Sequence, residues 1–286
     1  MRQIRFLSSN LRPHHRYVGS LASCARIVSD VPIGHLRYKY LRNYLVRDWS
    51  FAMRRDAISE HYRFLAERRE AFILDQGRHG RRILWESDAG QGDEPIVAVS
   101  LSRSRVARFE GESEISVFLG QTRLATLSFT FACGAGVGAD RQTVCLIGSL
   151  QGTVDTHAET KRAAGLMMGL SPFKMLIVAL KMVAAALGFD DVHAVSAGQQ
   201  VALCGEISAT GLDYDKLWTA AGATQQPNAF FRLSTKTENR SLAHLSSAHR
   251  RRAARRREAQ ERIASDIARR LGVSCGRDSA AAIGLS

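Results

Sequence analysis

The sequence contains no run of about eighteen uncharged apolar residues, so no membrane-spanning helix is expected. Its first stretch, MRQIRFLSSNLRPHHRYVGSLASCARIV, lacks the continuous apolar centre of a signal peptide and reads as a basic leader. Cysteine is scarce: five residues, an odd number, at no metal-like spacing. Neither a disulfide framework nor a zinc site is expected from that, and a reducing compartment fits. Cys133, Cys145 and Cys204 lie in or beside apolar, strand-like segments and read as buried, inert thiols. The expected location is cytoplasmic, with at most peripheral contact with the inner membrane. Acidic residues are also short: 27 Asp and Glu against 40 Lys and Arg leave a formal charge of +13. Much of the excess sits at the two ends, which carry few aromatics. That pattern points to a polyanion such as RNA, anionic lipid or lipopolysaccharide. No G-x-S-x-G elbow, helix-turn-helix, finger or aromatic RNA-binding motif appears, so serine hydrolysis and specific base reading have no support.

What is present is organised around residues 143–196. Thr143–Leu150 is short, apolar and β-branched and runs into Gln151-Gly152, the pattern of a buried strand ending in a turn. A helix is predicted from Pro172, with Ser171 as its N-cap and proline where a missing N–H costs nothing. Phe173, Leu176, Ile177, Leu180, Val183, Ala184 and Leu187 form its apolar face, Lys174 and Lys181 fall off it, and Gly188 stops it. Val192–Val195 returns as a strand. Two buried strands joined by a helical crossover should be parallel.

Around that unit, 35–49 and 54–73 are predicted helices. From 80 to 131 the apolar period is two. Strands are expected at Arg82–Trp85, Ile96–Leu101, Ala107–Glu112, Ile115–Leu119, Thr122–Ala125 and Leu127–Ala132, with a tight turn at 119–122. The glycine-rich GAGVG at 134–138 joins two strand-like runs, so it reads as a hairpin loop and not a phosphate loop. Tyr214–Ala221 is a short helix, Asn228–Leu233 a last strand, and 240–271 a long amphipathic helix. The expected organisation is a loosely ordered basic leader at 1–35, one α+β domain over 36–271 and a disordered tail at 272–286. The fold class is α+β, with a single mixed sheet flanked by helices.

Several motifs together resemble the VirK/YbjX family of Gram-negative bacteria. They are IGSLQG, Glu159-Thr160-Lys161, GLSPFKMLIVALKMVAAALGF, Ile58–Tyr62, Tyr214–Trp218, Phe230–Leu233 and the arginine-rich helix. The resemblance covers roughly residues 40–271. It implies a link to virulence and to envelope resistance against antimicrobial peptides, and no reaction. The element order is also similar to that of GNAT-type N-acyltransferases. That similarity implies an acyl or aminoacyl transfer, with acyl-CoA or aminoacyl-tRNA as donor, and a pyrophosphate held between the middle strand and its helix. The corresponding positions are Ser149, Gln151, Gly152 and Thr153. Only Gln151-Gly152 follows the GNAT pattern there.

Three residues are candidates for proton transfer. His157 and Lys161 are four apart at the start of the crossover helix and share a face, although a solvated helix start explains them too. His61 borders the apolar stripe of its helix, where a histidine bonded to a neighbour is the plainer reading. The polyanion candidates are Arg250, Arg251, Arg252, Arg255, Arg256 and Arg257, six arginines within 249–257. Such a run repels itself unless solvent or an anion screens it. Two functions therefore stand at this point: an acyltransferase connected with the envelope, and a non-catalytic binder of anions through the arginine helix.

Overall fold

A computed structural model describes residues 11–28, 31–67, 81–87, 95–105, 108–201, 213–236 and 246–272. Among them are seven helices: α1 (Leu11–Ala25), α2 (Ile33–Leu36), α3 (Phe51–Glu67), α4 (His157–Leu166), α5 (Pro172–Ala186), α6 (Tyr214–Ala220) and α7 (Ser247–Arg270). The strands are β1 (Arg81–Glu86), β2 (Val97–Arg103), β3 (Ser113–Leu119), β4 (Thr122–Cys133), β5 (Thr143–Gly152), β6 (Asp191–Val195), β7 (Thr224–Gln225) and β8 (Phe230–Ser234). They make one mixed sheet in the order β1-β2-β3-β4-β5-β6-β8-β7. Only β5 and β6 run parallel, and α4 and α5 cross between them. The α+β class and the central βαβ unit are as expected.

α5 forms for the reasons its sequence suggests. The Ser171 hydroxyl accepts the Lys174 N–H at 3.4 Å, Pro172 occupies the first turn, and Gly188 at φ +81° follows the end. Of the expected face, Leu176, Leu180, Val183, Ala184 and Leu187 are buried and Phe173 and Ile177 only half-buried, while Met175, Val178 and Ala179, not expected there, are buried too. Successive residues of β5 go to different apolar clusters, as a strand's alternation requires: Cys145 and Ile147 join the α5 side, and Val144 and Leu146 join the side of α1 and α3. α7 packs on α5 and β1 through Ala259, Ile263, Ile267 and Leu271. Its end is pinned where Arg82 donates to the Arg270 carbonyl and Arg270 meets Glu86 at 3.3 Å.

Four expectations need correction. The predicted helix over 35–49 is α2 plus a single 3-10 turn at Lys39–Leu41. Tyr44, Leu45 and Val46 are all buried, which no one face of a helix permits, and Leu45 adopts φ +62°. The predicted strand at Ala107–Glu112 is instead a turn over 108–110, with Ala107 outside the described residues. Gly111 there packs so close to the Phe129 backbone that a side chain would not fit. The two strands expected at 122–125 and 127–132 are one, β4. The leader holds a helix, α1, with Tyr17, Leu21 and Cys24 buried, while 1–10 lie outside the described residues. The tight turn at 119–122 forms with Gly120 at φ +56°, and GAGVG makes a 3-10 turn linking β4 to β5. Residues 68–73, 240–245 and 273–286, where further helix and tail were expected, lie outside the described residues.

Candidate functional site: a cation-lined groove

Among the described residues a groove of about 590 Å³ lies between α5, α7, the end of α6 and the end of β8. That is the size of a small-molecule site. Val178, Lys181 and Met182 come from α5: Val178 is buried at the edge of the packed face, and Lys181 and Met182 are half-buried beside it. Ala220, Ala221 and Gly222 come from the end of α6, and Ser234 and Lys236 from the end of β8. Ala253, Arg256, Arg257, Gln260, Glu261, Ala264 and Ser265 come from α7 at helical spacing. Among the described residues, Lys181, Lys236, Arg256 and Arg257 share the groove with Glu261. Its remaining walls are mainly aliphatic.

The groove divides the arginine cluster. Arg256 and Arg257 line it, and Arg256 also lies against Gly169 in the α4–α5 turn, where an added Cβ would sit 3.3 Å from its Nε. Arg250, Arg251 and Arg255 are exposed on α7. Arg252 belongs to the helix, but its side chain lies outside the described ones. Among the described residues, Arg251, Arg255 and Arg256 form no ion pair. Glu258 is engaged by Arg262 at 3.3 Å instead.

The other candidates sit apart from the groove lining. Ser149 is fully buried within β5, with no hydrogen-bond partner for its hydroxyl among the described residues. Gln151 donates its amide to Glu110 at 2.6 Å. Gly152 and Thr153 are exposed, and the Thr153 N–H is taken by the Leu124 carbonyl at 2.9 Å. His157 and Lys161 are exposed on the first turns of α4 and make no side-chain hydrogen bond among the described residues. Beyond Leu146 and Ile147, β5 parts from β6. A bulge opposite Ser128–Phe129 helps turn β5 away, and Gly148 lies there because any side chain would overlap the Glu110 carbonyl. The gap is closed by α6. The Tyr214 hydroxyl donates to the Leu150 carbonyl at 2.9 Å and accepts from the Leu150 N–H at 3.4 Å, and the Trp218 indole donates to the Val195 carbonyl at 2.9 Å. Burial pushes the Tyr214 phenol up to about 12, so it stays protonated and able to donate.

His61 belongs to a buried polar knot. Its Nδ1 accepts the Phe131 N–H at 3.2 Å, and its ring stacks on Phe131 with centroids 5.4 Å apart. The neutral ring therefore carries its proton on Nε2, which faces the Ser113 hydroxyl at 3.5 Å. In that tautomer it cannot take a proton from Ser113. Beside it Glu112 meets Lys39 at 2.6 Å and accepts the Tyr62 hydroxyl at 2.9 Å, with both charged side chains 3% exposed. Burial alone would raise the Glu112 carboxyl, but the Lys39 charge overrides it and holds the group below its usual range. A pocket of about 40 Å³ adjoins the knot, room for little more than a water molecule.

Burial lowers His61 to about 4, against partial opposition from Glu112. An unfolded chain protonates this histidine near 6.5, before the folded chain does. Stability is therefore fully present above that value and is lost as pH falls from about 6.5 towards 4, by an amount on the order of 3 kcal/mol. Glu112, depressed in the fold, adds loss in the same direction below its own unfolded value. Urea midpoints should fall across this window, and His61→Gln should flatten the upper part of the curve. A midpoint constant from pH 7 to 4 would contradict the buried neutral imidazole.

The sequence reading passed over Lys39, Glu110, Glu112 and Lys236. A signal was available for the glutamates: Glu110, Glu112 and Glu114 alternate, which in extended chain puts them on one side, and all three are buried. Lys236 had none, because its place on the groove depends on where β8 ends.

The fold and groove define an α+β protein with a cationic, ligand-sized surface cleft. The chain belongs to the DUF535 family, described as a protein of unknown function, whose family model matches residues 20–269. Neither the comparison with curated proteins nor that with solved structures returned a match. Among the described residues no helix is long and apolar enough to cross a membrane.

Proposed function

We propose that this protein binds phosphate-bearing anions through α7 and the groove beside it. The observation that supports the reading is the convergence of Lys181, Lys236, Arg256 and Arg257, from three separate elements, on one cleft. Guanidinium forks match phosphate geometry in a way an ammonium does not. The exposed Arg250, Arg251 and Arg255 extend the positive face along α7. With the VirK/YbjX resemblance, the anion is an envelope component and the binding serves envelope resistance.

Replacing Arg255, Arg256 and Arg257 by Gln removes three charges while keeping helix propensity. Wild-type protein is expected to bind heparin or polyphosphate with an affinity that falls steeply with salt. Removing one arginine–phosphate pairing lowers the slope of log affinity against log salt by about 0.7–0.9, so the triple variant should lose about 2–3 from it. Equal affinity and slope in the two proteins would sink the reading.

A second reading, acyl or aminoacyl transfer, is favoured by one specific observation. The strand order, with a single parallel pair that parts at a bulge, is similar to the GNAT arrangement. Against it stands the closure of that parting by Tyr214 and Trp218. An acyl-CoA or aminoacyl-tRNA that raises the melting temperature would favour this reading, and silence from both would count against it.

A further inference from the structure

We infer that the groove takes one phosphorylated single-chain amphiphile at a time, with the phosphate on the cations and the hydrocarbon chain along the aliphatic wall. This rests on the anion-binding reading and names its ligand class. The charges lie on Lys181, Lys236, Arg256 and Arg257, whereas Val178, Met182, Ala221 and Ala264 supply apolar surface in the same cleft. A groove built only for a phosphate backbone has no need of that aliphatic surface. Among the described residues no Phe, Tyr or Trp lines it, so a nucleobase finds no stacking platform there. Methyl and methylene groups suit an alkyl chain, whose removal from water is favourable in proportion to the area buried. The volume of about 590 Å³ accommodates a headgroup and part of one chain, not a bilayer surface.

The test is calorimetric titration of the full chain with dodecyl phosphate below its micelle concentration. Inorganic phosphate supplies the headgroup alone, and dodecyl maltoside supplies the chain without the charge. Dodecyl phosphate should bind one to one and at least tenfold more tightly than either. Ala264→Phe on α7 and Ala221→Phe at the end of α6, which add bulk to the groove lining without removing a charge, should each weaken dodecyl phosphate at least tenfold. Ala254→Phe, at an exposed position of α7 outside the groove lining, should leave dodecyl phosphate binding unchanged. If wild-type protein binds dodecyl phosphate no better than phosphate, or if both filled variants bind it normally, the amphiphile is overturned while heparin binding can still stand. If wild-type protein binds neither heparin nor dodecyl phosphate, the anion-binding reading falls as well. The comparison of three ligands on wild-type protein decides the matter even where a variant fails to fold.

Discussion

Lys39→Met should destabilise the protein by about 3–5 kcal/mol, because it leaves the Glu112 carboxylate buried without its cation. Both partners are 3% exposed, so water cannot replace the missing ammonium. The Tyr62 hydroxyl, at 2.9 Å, and the Tyr44 hydroxyl would remain as donors to the carboxylate, and neutral donors do not offset a buried charge. The pair also joins distant parts of the chain: Lys39 follows α2, Glu112 precedes β3, and Tyr62 belongs to α3. Its removal should therefore loosen the α1–α3 layer from the sheet. Lys39→Met combined with Glu112→Gln should recover much of the stability, since the uncompensated charge is then gone. Urea unfolding of the two single variants and the double variant measures the coupling. A Lys39→Met protein with the wild-type midpoint would mean that Glu112 is not held as described. A destabilisation of this size is a large share of the roughly 5–15 kcal/mol by which domains are stable.

Leu180→Ala should cost about 2–5 kcal/mol through reduced burial and the cavity left behind. Leu180 is 1% exposed in the middle of α5, packed in the cluster that contains Phe129, Ile147 and Val192. Neighbours from strands on both sides of the parallel pair would have to move to fill the space. They are held by sheet hydrogen bonds, so little relaxation is expected. The same variant should leave heparin binding intact after correction for the unfolded fraction, because Leu180 does not line the groove. A variant melting like the wild type would contradict the packing of α5 on the sheet.

The two predictions differ in how far the sequence anticipates them. Leu180 belongs to a stripe at helical spacing between a Ser-Pro start and a glycine stop. These are local signals, and α5 forms as they indicate. The Lys39–Glu112 pair spans 73 residues, and nothing near either residue marks the other. The same contrast holds for His61. Its place beside an apolar stripe is legible, while its tautomer depends on the Phe131 N–H, 70 residues away.

By itself the sequence determined the α+β class, the βαβ crossover, the caps and part of the buried face of α5, and the positive charge of α7. All of these follow from composition, from period, or from residues within one or two turns of each other. The tertiary structure decided the rest. It replaced the helix expected over 35–49, because three consecutive residues there are buried by different neighbours. It joined two expected strands into β4, and it closed the end of the parallel pair with Tyr214 and Trp218. It also separated two of the arginines from the rest and set them with Lys181 and Lys236 around one groove. A helix's charge can be counted from its residues, but which of those charges share a cavity depends on which side of the helix packs, and packing is decided by the whole chain.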